Sequence, residues 1–268
     1  MEKRLGLIAG SGDSPLYICQ EAQKQGYVCI VAAIRDEADD RIESEASDLG
    51  WFEVAKPGAI ITFFKSKQVK QAVFAGKIDP QVIFHKKSLG SFVLGMLEKS
   101  QDRNPETLVR MAIDYFTSRG IEIVDTLPYL SSALCSPGVL TKTQPAAAIQ
   151  EDIDFAWGLA RKLADWDIGQ SLVVKNKHVV AVEGLEGTDE TIKRGGELAG
   201  EGTVLVKVTR TQQDSRIDLP TVGVKTVEGL IKARSRALCF EAERMPFLQK
   251  ERAIALADKH GIAIIARQ

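Results

Sequence analysis

Cysteine, histidine, long apolar runs and net charge are all in short supply in this sequence. It holds four cysteines in 268 residues, Cys19, Cys29, Cys135 and Cys239, with no CxxC pair and no zinc-like spacing. That excludes a disulfide scaffold and a zinc ribbon, and leaves the four as reduced core thiols. Its three histidines, His85, His178 and His260, stand alone, so each reads as a surface or packing residue. No apolar run approaches the roughly 18 residues of a membrane-spanning helix. The apolar patch Leu5 to Ala9 meets glycines at once and is too short for a signal-peptide core. A net charge of −1 provides no global field to draw the protein onto nucleic acid or an anionic membrane. A cytosolic protein with no nucleic-acid partner is expected. What remains is ordinary globular material, 44% hydrophobic and 26% charged, long enough for about two domains.

The first half alternates in period. "LGLIAG" reads as a strand, "SPLYICQEAQKQG" as a helix closed by Gly26, and "YVCIVAAI" as a buried strand. "AIITFFKSKQ" reads as a helix and "QAVFAGKI" as a strand. "ETLVRMAIDYFTSRG" is a helix with Leu108, Met111, Ala112 and Tyr115 on one face, and "IEIVDT" follows as a strand. Short apolar strands alternating with helices predict a mostly parallel sheet covered on both sides. Residues 1–130 are therefore expected to form a Rossmann-like nucleotide- or phosphate-binding domain, with the boundary in the Pro-, Ser- and Gly-bearing "LPYLSSALCSPGVLTKTQP".

Residues 131–268 read as a mixed α+β domain carrying the catalytic groups. "IQEDIDFAWGLARKLADW" is a long amphipathic helix with acids near its start, where the helix dipole favours them. "SLVVKNKHVVAVEG" is a hairpin turning at Lys175-Asn176-Lys177. "TDETIKRGGELA" is a short helix, "TVLVKV" a strand, and "TVGVKTVEGLIKA" a strand running into a helix. "KERAIALADKHG" and "IAIIAR" close the chain as helix and strand.

Three stretches carry candidate chemistry. In "RLGLIAGSGDSP", Gly10 and Gly12 let the backbone approach a ligand, and the free N–H groups of the helix beginning at Ser14-Pro15 favour an anion. Pro15 stands where the dinucleotide fingerprint has its third glycine, so a single nucleotide or sugar phosphate suits the loop better than a dinucleotide. Asp36, after the second strand, reads either as a partner for a ribose hydroxyl or as a solvated acid in "RDEADD". In "VEGLEGTDETIKR", Glu183, Glu186 and Asp189 crowd the end of a strand, where carboxylates can hold Mg²⁺ or water. The plainer alternative makes Thr188 or Asp189 a helix N-cap. In "QQDSRIDLPTVGVKT", Asp218 lies between apolar residues and is either a turn residue or a functional carboxylate. Lys207, in "VLVKV", either faces a phosphate or lies on a strand edge with its amine in water.

"LGLIAGSGDSPL", "FAGKI", "DIGQSLVV", "VVAVEGLEGTD" and "DLPTVGVKTV" occur in this order. Together they resemble the UDP-2,3-diacylglucosamine pyrophosphatases of the lipid A pathway, of the type unrelated to metallophosphoesterases. The resemblance spans nearly the whole chain, and the EGTD and DLPTVG segments are its specific parts. It implies a two-domain hydrolase that uses Mg²⁺ or another divalent cation to cleave the pyrophosphate of UDP-2,3-diacylglucosamine into UMP and 2,3-diacylglucosamine 1-phosphate (lipid X). It also implies that Asp218 is the catalytic aspartate. The isolated histidines agree, since a metallophosphoesterase needs several His and Asp ligands in tight motifs. In this reading Asp218 and Asp189 hold the cation, and Glu186 completes the catalytic shell. Lys207 and Lys142 offset phosphate charge, and Gln170 and Thr188 contact the substrate. Gly10, Gly12, Gly76 and Lys77 receive its UDP end.

A lipid-linked nucleotide sugar calls for an apolar groove, for which the stretch His85–Leu97 is a candidate beside its simpler reading as a buried helix. Peripheral contact with the inner membrane and a homodimer are compatible with this picture. Two other classes stay open. A nucleotide-sugar-binding sensor would bind without turnover, and an NAD(P)-dependent oxidoreductase would use the first domain for a nicotinamide, against which Pro15 counts.

Overall fold

Strand β1, Lys3–Ala9, is buried along nearly its whole length, which is the signature of a parallel strand covered on both faces. The computed structural model describes residues 2–78, 95, 105–217 and 219–268. These fall into two units: Met1–Ser132 with a short stretch from Asp214, and Ala133–Gln213 with Leu219–Gln268. The candidate apolar stretch His85–Leu97 lies outside the described residues except for Gly95.

In the first unit β1 is followed by α1 (Ser14–Lys24), β2 (Tyr27–Ile34), α2 (Ile42–Glu45), β3 (Asp48–Phe52), α3 (Pro57–Ser66), β4 (Gln71–Ala75), α4 (Pro105–Thr117) and β5 (Glu122–Ile123). The strands form one sheet in the order β3-β2-β1-β4-β5, parallel throughout. This is the doubly wound arrangement, and its order reverses between β1 and β4. Alternate residues of the strands face opposite ways. Ile8, Ile30, Ala32 and Ala72 join a core with Ile60, Ile61 and Phe64 of α3 and Ile113 and Phe116 of α4. Ile18, Cys19 and Ala22 of α1 are buried as well.

The apolar stripe of α4 differs from the expected face. Its core residues are Ile113 and Phe116, with Val109 packed against them, an i, i+4, i+7 row. Met111, Ala112 and Tyr115 are only half-buried, and Leu108 alone of the expected four is buried. Tyr115 packs against the same core as Val109, so the buried stripe is rotated from the expected face and not opposite to it. Strand β3 was not anticipated, because Gly50 and Asp48 dilute its apolar pattern.

The second unit contains β6 (Gly138–Val139), α5 (Ala147–Asp165), β7 (Ser171–Lys175), β8 (His178–Val182), α6 (Thr188–Ala199), β9 (Val204–Lys207), α7 (Val224–Lys232), β10 (Ala237–Glu241), α8 (Lys250–Lys259) and β11 (Ala263–Arg267). Its sheet runs β6-β11-β10-β9-β7-β8. The central β9, β10 and β11 are parallel, and β6 and the β7–β8 hairpin are antiparallel. One face packs Leu172, Val174, Val206 and Cys239 against Ile153, Ala156 and Ala160 of α5. The other packs Val173, Leu205, Leu238 and Phe240 against Ile192 of α6, Leu230 of α7 and Ala253 of α8.

Three expectations need correction here. Strand β10 was not anticipated, although it lies at the centre of the sheet. "TVGV" is not a strand, since only Val222 makes a bridge, to Phe247, and α7 starts at Val224. The first turn of α5 holds no acid. Asp152, buried one turn further on, instead accepts the backbone N–H of Asn176 at 2.9 Å and of Lys177 at 2.6 Å. Those two residues form the hairpin turn with φ of 51° and 58°, the left-handed pair that a two-residue turn requires. The acid is there for the turn and not for the helix dipole. All four cysteines are buried and free of disulfides, and burial pushes the Cys239 thiol up to about 12.

Candidate active site

In the first unit the glycine turn after β1 meets the turn after β4 at the point where the strand order reverses. Gly10 N–H donates to the Ala75 carbonyl at 2.8 Å, and Ser11 and Lys77 exchange backbone bonds at 2.8 and 3.0 Å. The Ser11 hydroxyl adds a bond to the Lys77 carbonyl at 2.9 Å. A Cβ on Gly10 would lie 2.4 Å from the Lys77 oxygen, and one on Gly76 would lie 2.5 Å from the Ser11 oxygen. Glycine is therefore required at both positions by the crossing of the two turns themselves. Gly12, with φ of 96°, has open space where its Cβ would be. Helix α1 starts with Pro15 in its first turn. The carboxylate of Asp13, just before it, accepts Arg41 at 2.8 Å, and Arg41 also grips Asp39. Arg41 is a cation at the helix start that sequence reasoning missed, since it lies in an acidic loop far along the chain.

In the second unit three expected residues join one network at the ends of β7 and β9. Lys207, 7% exposed, donates from Nζ to Thr188 Oγ1 at 3.0 Å and to the Thr221 carbonyl at 3.1 Å. It ends β9, which lies between β10 and β7, so the strand-edge reading of this lysine is corrected. Thr188 Oγ1 donates to Glu183 Oε1 at 2.7 Å and lies 3.3 Å from Ser171 Oγ. Glu183 Oε2 accepts the Gln170 N–H at 3.2 Å, and the Gln170 amide donates to Gln213 at 3.1 Å. Thr188 is not the cap of α6: Gly187 holds that position with φ of 82°, which releases the threonine hydroxyl to the network. A buried ammonium held by hydroxyl and carbonyl oxygens at the carboxyl end of parallel strands suits an anionic ligand, the usual place for ligands in such sheets.

The other expected residues are elsewhere. Glu186 pairs with Arg194 at 2.5 Å and accepts the Gly184 N–H at 3.1 Å. Its own backbone N–H first, and then Arg194, hold its carboxyl below the usual range against a modest cost of burial. Asp189 is exposed in the first turn of α6, so Glu183, Glu186 and Asp189 do not share one point. Lys142 lies beside the amino end of β11, its backbone N–H donating to Asp258 at 2.8 Å, at the end of the sheet opposite Lys207. Asp218 lies outside the described residues. Among the described residues no group of three or more His, Cys, Asp or Glu could hold a metal.

A second buried cluster went unseen in the sequence because its carboxylate belongs to β10. Glu241, 5% exposed, receives Arg161 at 2.7 Å and Arg244 at 3.0 Å on one oxygen, and the Thr209 N–H at 2.9 Å on the other. Arg161 also donates to the Thr209 carbonyl. The cluster anchors the chain that leaves β9 toward Arg210.

Fold and site together define a two-unit α/β protein. Its first unit is doubly wound with a glycine crossing at the switch point, and its second holds a lysine–threonine–carboxylate network at the strand ends. Residues 4–133 match the model of the LpxI N-terminal domain, and residues 136–265 that of the LpxI C-terminal domain. The chain is 30% identical, over 98% of its length and 97% of the relative's, to the UDP-2,3-diacylglucosamine pyrophosphatase LpxI of Caulobacter vibrioides. It belongs to the LpxI family. A looser likeness is to the solved structure of phosphoribosylglycinamide synthetase from Anaerococcus prevotii, at 13% identity and a TM-score of 0.26, over 71% of this chain and 42% of that one.

Proposed function

We propose that this chain hydrolyses the pyrophosphate bond of UDP-2,3-diacylglucosamine, giving UMP and 2,3-diacylglucosamine 1-phosphate, with Mg²⁺ or another divalent cation. The observation that carries the reading is the match of both LpxI domains, in order, over nearly the whole chain, together with the full-length relative of that activity. Pyrophosphate hydrolysis needs a positioned water and neutralised phosphoryl oxygens. Lys207 supplies a fixed positive charge, held in place by Thr188, and Asp218 acts on the attacking water or the cation. Gly10, Gly12, Gly76 and Lys77 receive the UDP end, and Gln170 contacts the substrate.

The described carboxylates do not by themselves form a metal cage, and Glu186 is engaged by Arg194. Mg²⁺ commonly takes one or two carboxylates and completes its shell with substrate phosphates and water, so Asp218 and Asp189 are its proposed protein ligands and no step is routed through it. A diacylated substrate resides in a membrane, and no described helix is long and apolar enough to cross one. The reading therefore includes peripheral contact with the inner membrane.

The test is UMP release from UDP-2,3-diacylglucosamine by the purified protein, with Mg²⁺ and with EDTA. UMP formed with Mg²⁺ and lost with EDTA is the expected result. No UMP under any divalent ion would overturn the activity and leave a nucleotide-sugar-binding protein. Asp218→Ala is expected to abolish turnover while retaining fold and substrate binding, and normal turnover in that variant would remove Asp218 from the mechanism.

A further inference from the structure

Glu183 follows the last residue of β8 and stands where two turns abut. Its backbone N–H donates to the Ser171 carbonyl at 2.9 Å, which carries the hairpin pairing one step past the strand. A Cβ on Gly169 would lie 2.0 Å from the Glu183 carbonyl oxygen, so only a glycine lets the turn before β7 come this close. The approach brings the Glu183 side chain to the Gln170 backbone, whose N–H donates to Oε2 at 3.2 Å. The other oxygen, Oε1, accepts the Thr188 hydroxyl at 2.7 Å. An ionised carboxylate has no donor to offer a phosphate, so the part Glu183 plays beside an anion site runs through another group.

That group is Thr188, buried between Glu183 and Lys207. A hydroxyl holds one proton and two lone pairs. The Thr188 proton goes to Glu183, its nearest acceptor and a charged one. The lone pairs therefore face the two donors that remain, Lys207 Nζ at 3.0 Å and Ser171 Oγ at 3.3 Å. Turned the other way, the proton would meet an ammonium, which has donors only. Lys207, bonded to Thr188 and to the Thr221 carbonyl at 3.1 Å, is in this way a charge fixed in direction. Stabilisation of phosphoryl oxygens depends on such preorganisation.

We propose that Glu183 is a positioning residue for Lys207. By taking the Thr188 proton it holds a threonine lone pair toward the ammonium, and so sets the direction from which Lys207 meets a phosphate. The proposal rests on the phosphate-facing reading of Lys207 and adds the residue that sets its aim. A carboxylate is needed because two donors must be accepted at once. In Glu183→Gln one oxygen becomes an NH2 group, which then confronts either the Gln170 N–H or the Thr188 hydroxyl.

The test is a double-mutant cycle in the full-length protein, with two readouts. One is kcat/KM for UMP release from UDP-2,3-diacylglucosamine with Mg²⁺, and the other is the calorimetric Kd for inorganic pyrophosphate without metal. Glu183→Gln is expected to lower kcat/KM and to weaken pyrophosphate, each about tenfold. Thr188→Val has no hydroxyl to orient, so adding Glu183→Gln to it should cost no more than about twofold. Thr188→Ser keeps the hydroxyl, and in that background the Glu183→Gln loss should return to about tenfold. An equal loss in the wild-type and Thr188→Val backgrounds overturns the proposal, because Glu183 would then act by its own charge or through the fold. A folded Glu183→Gln with unchanged kcat/KM and Kd overturns it as well. If Glu183→Gln does not fold by circular dichroism, Glu183→Ala takes its place in the same cycle. Wild type that binds pyrophosphate and shows the coupling in Kd, but releases no UMP, leaves the positioning role standing and overturns only the proposed activity. Wild type that neither binds pyrophosphate nor releases UMP overturns both.

Discussion

Glu241 sits nearly dry at the end of a central strand, and burial alone would raise its pKa. Hydrogen bonds from Arg161 and Thr209 outweigh that and hold the carboxyl below its ordinary range. A group lowered in this way contributes stability that is present above the unfolded carboxyl value, about 4.3, and is lost as pH falls through the folded value. Glu241→Gln leaves Arg161 and Arg244 facing a neutral amide, and breaking a buried pair costs about 3 kcal/mol. In thermal melts between pH 7 and pH 3 the gap between wild type and Glu241→Gln should be widest near neutrality and shrink in acid. A gap that stays constant with pH would mean that Glu241 acts through packing and not through charge. Lys207 belongs to the same scale. Its sequence neighbours allowed either a surface strand or a phosphate-facing cation, and only the flanking of β9 by β7 and β10 decides that it is buried.

The hairpin of β7 and β8 depends on a helix that precedes it. Asp152 accepts two backbone N–H groups of the Asn176-Lys177 turn, and these are bonds to a charged acceptor in a buried position, each worth about 1.5–3 kcal/mol. Asp152→Ala is expected to lower stability in urea by about 3 kcal/mol or more and to raise amide exchange at Asn176 and Lys177 first. Unchanged exchange at those two amides would dissociate the turn from the helix. Elements with a clean period were legible in the sequence: β1, β2, α1, α3, β4, α4, β5, α5, the hairpin, α6, β9, α7, α8 and β11. The elements missed were those whose pattern is diluted. Strand β3 is "DLGWF", with a glycine at its centre, and β10 is "ALCFE", ending in a charge that only its tertiary partners explain. Of the candidate site, the glycine crossing and the members Gln170, Thr188 and Lys207 were legible because each stands at a break between elements. Arg41, Gln213 and the Arg161–Glu241–Arg244 cluster were not, since their partners are distant in sequence and no local spacing announces them.

At the scale of the whole molecule, the two family-model matches divide the chain near residue 134, yet the first unit is not a continuous segment. It takes in the stretch from Asp214, and its own residues hold that stretch firmly. Arg110 and Arg216 both pair with Asp214, Thr126 donates to the Ser215 carbonyl, and Ile217 packs against the core of α3 and α4. The Asp214 carboxyl is held below its usual range, chiefly by the Arg216 guanidinium. A fragment cut after Ser132 keeps Arg110 and Thr126 but lacks Asp214, Ser215, Arg216 and Ile217. It leaves Thr126, 3% exposed, without its acceptor and uncovers part of the core. A lost partner for a buried hydroxyl and a half-buried isoleucine removed from its contacts together cost about 2–4 kcal/mol. Residues 1–132 expressed alone should therefore show faster exchange of the β1 and β2 amides than the same amides in the full chain. A peptide covering residues 212–219, added in excess, should restore part of the protection, because binding to the folded form alone stabilises it by mass action. Equal protection in the fragment and the full chain would show instead that the stretch merely rests on the first unit and that residues 1–132 suffice for its fold.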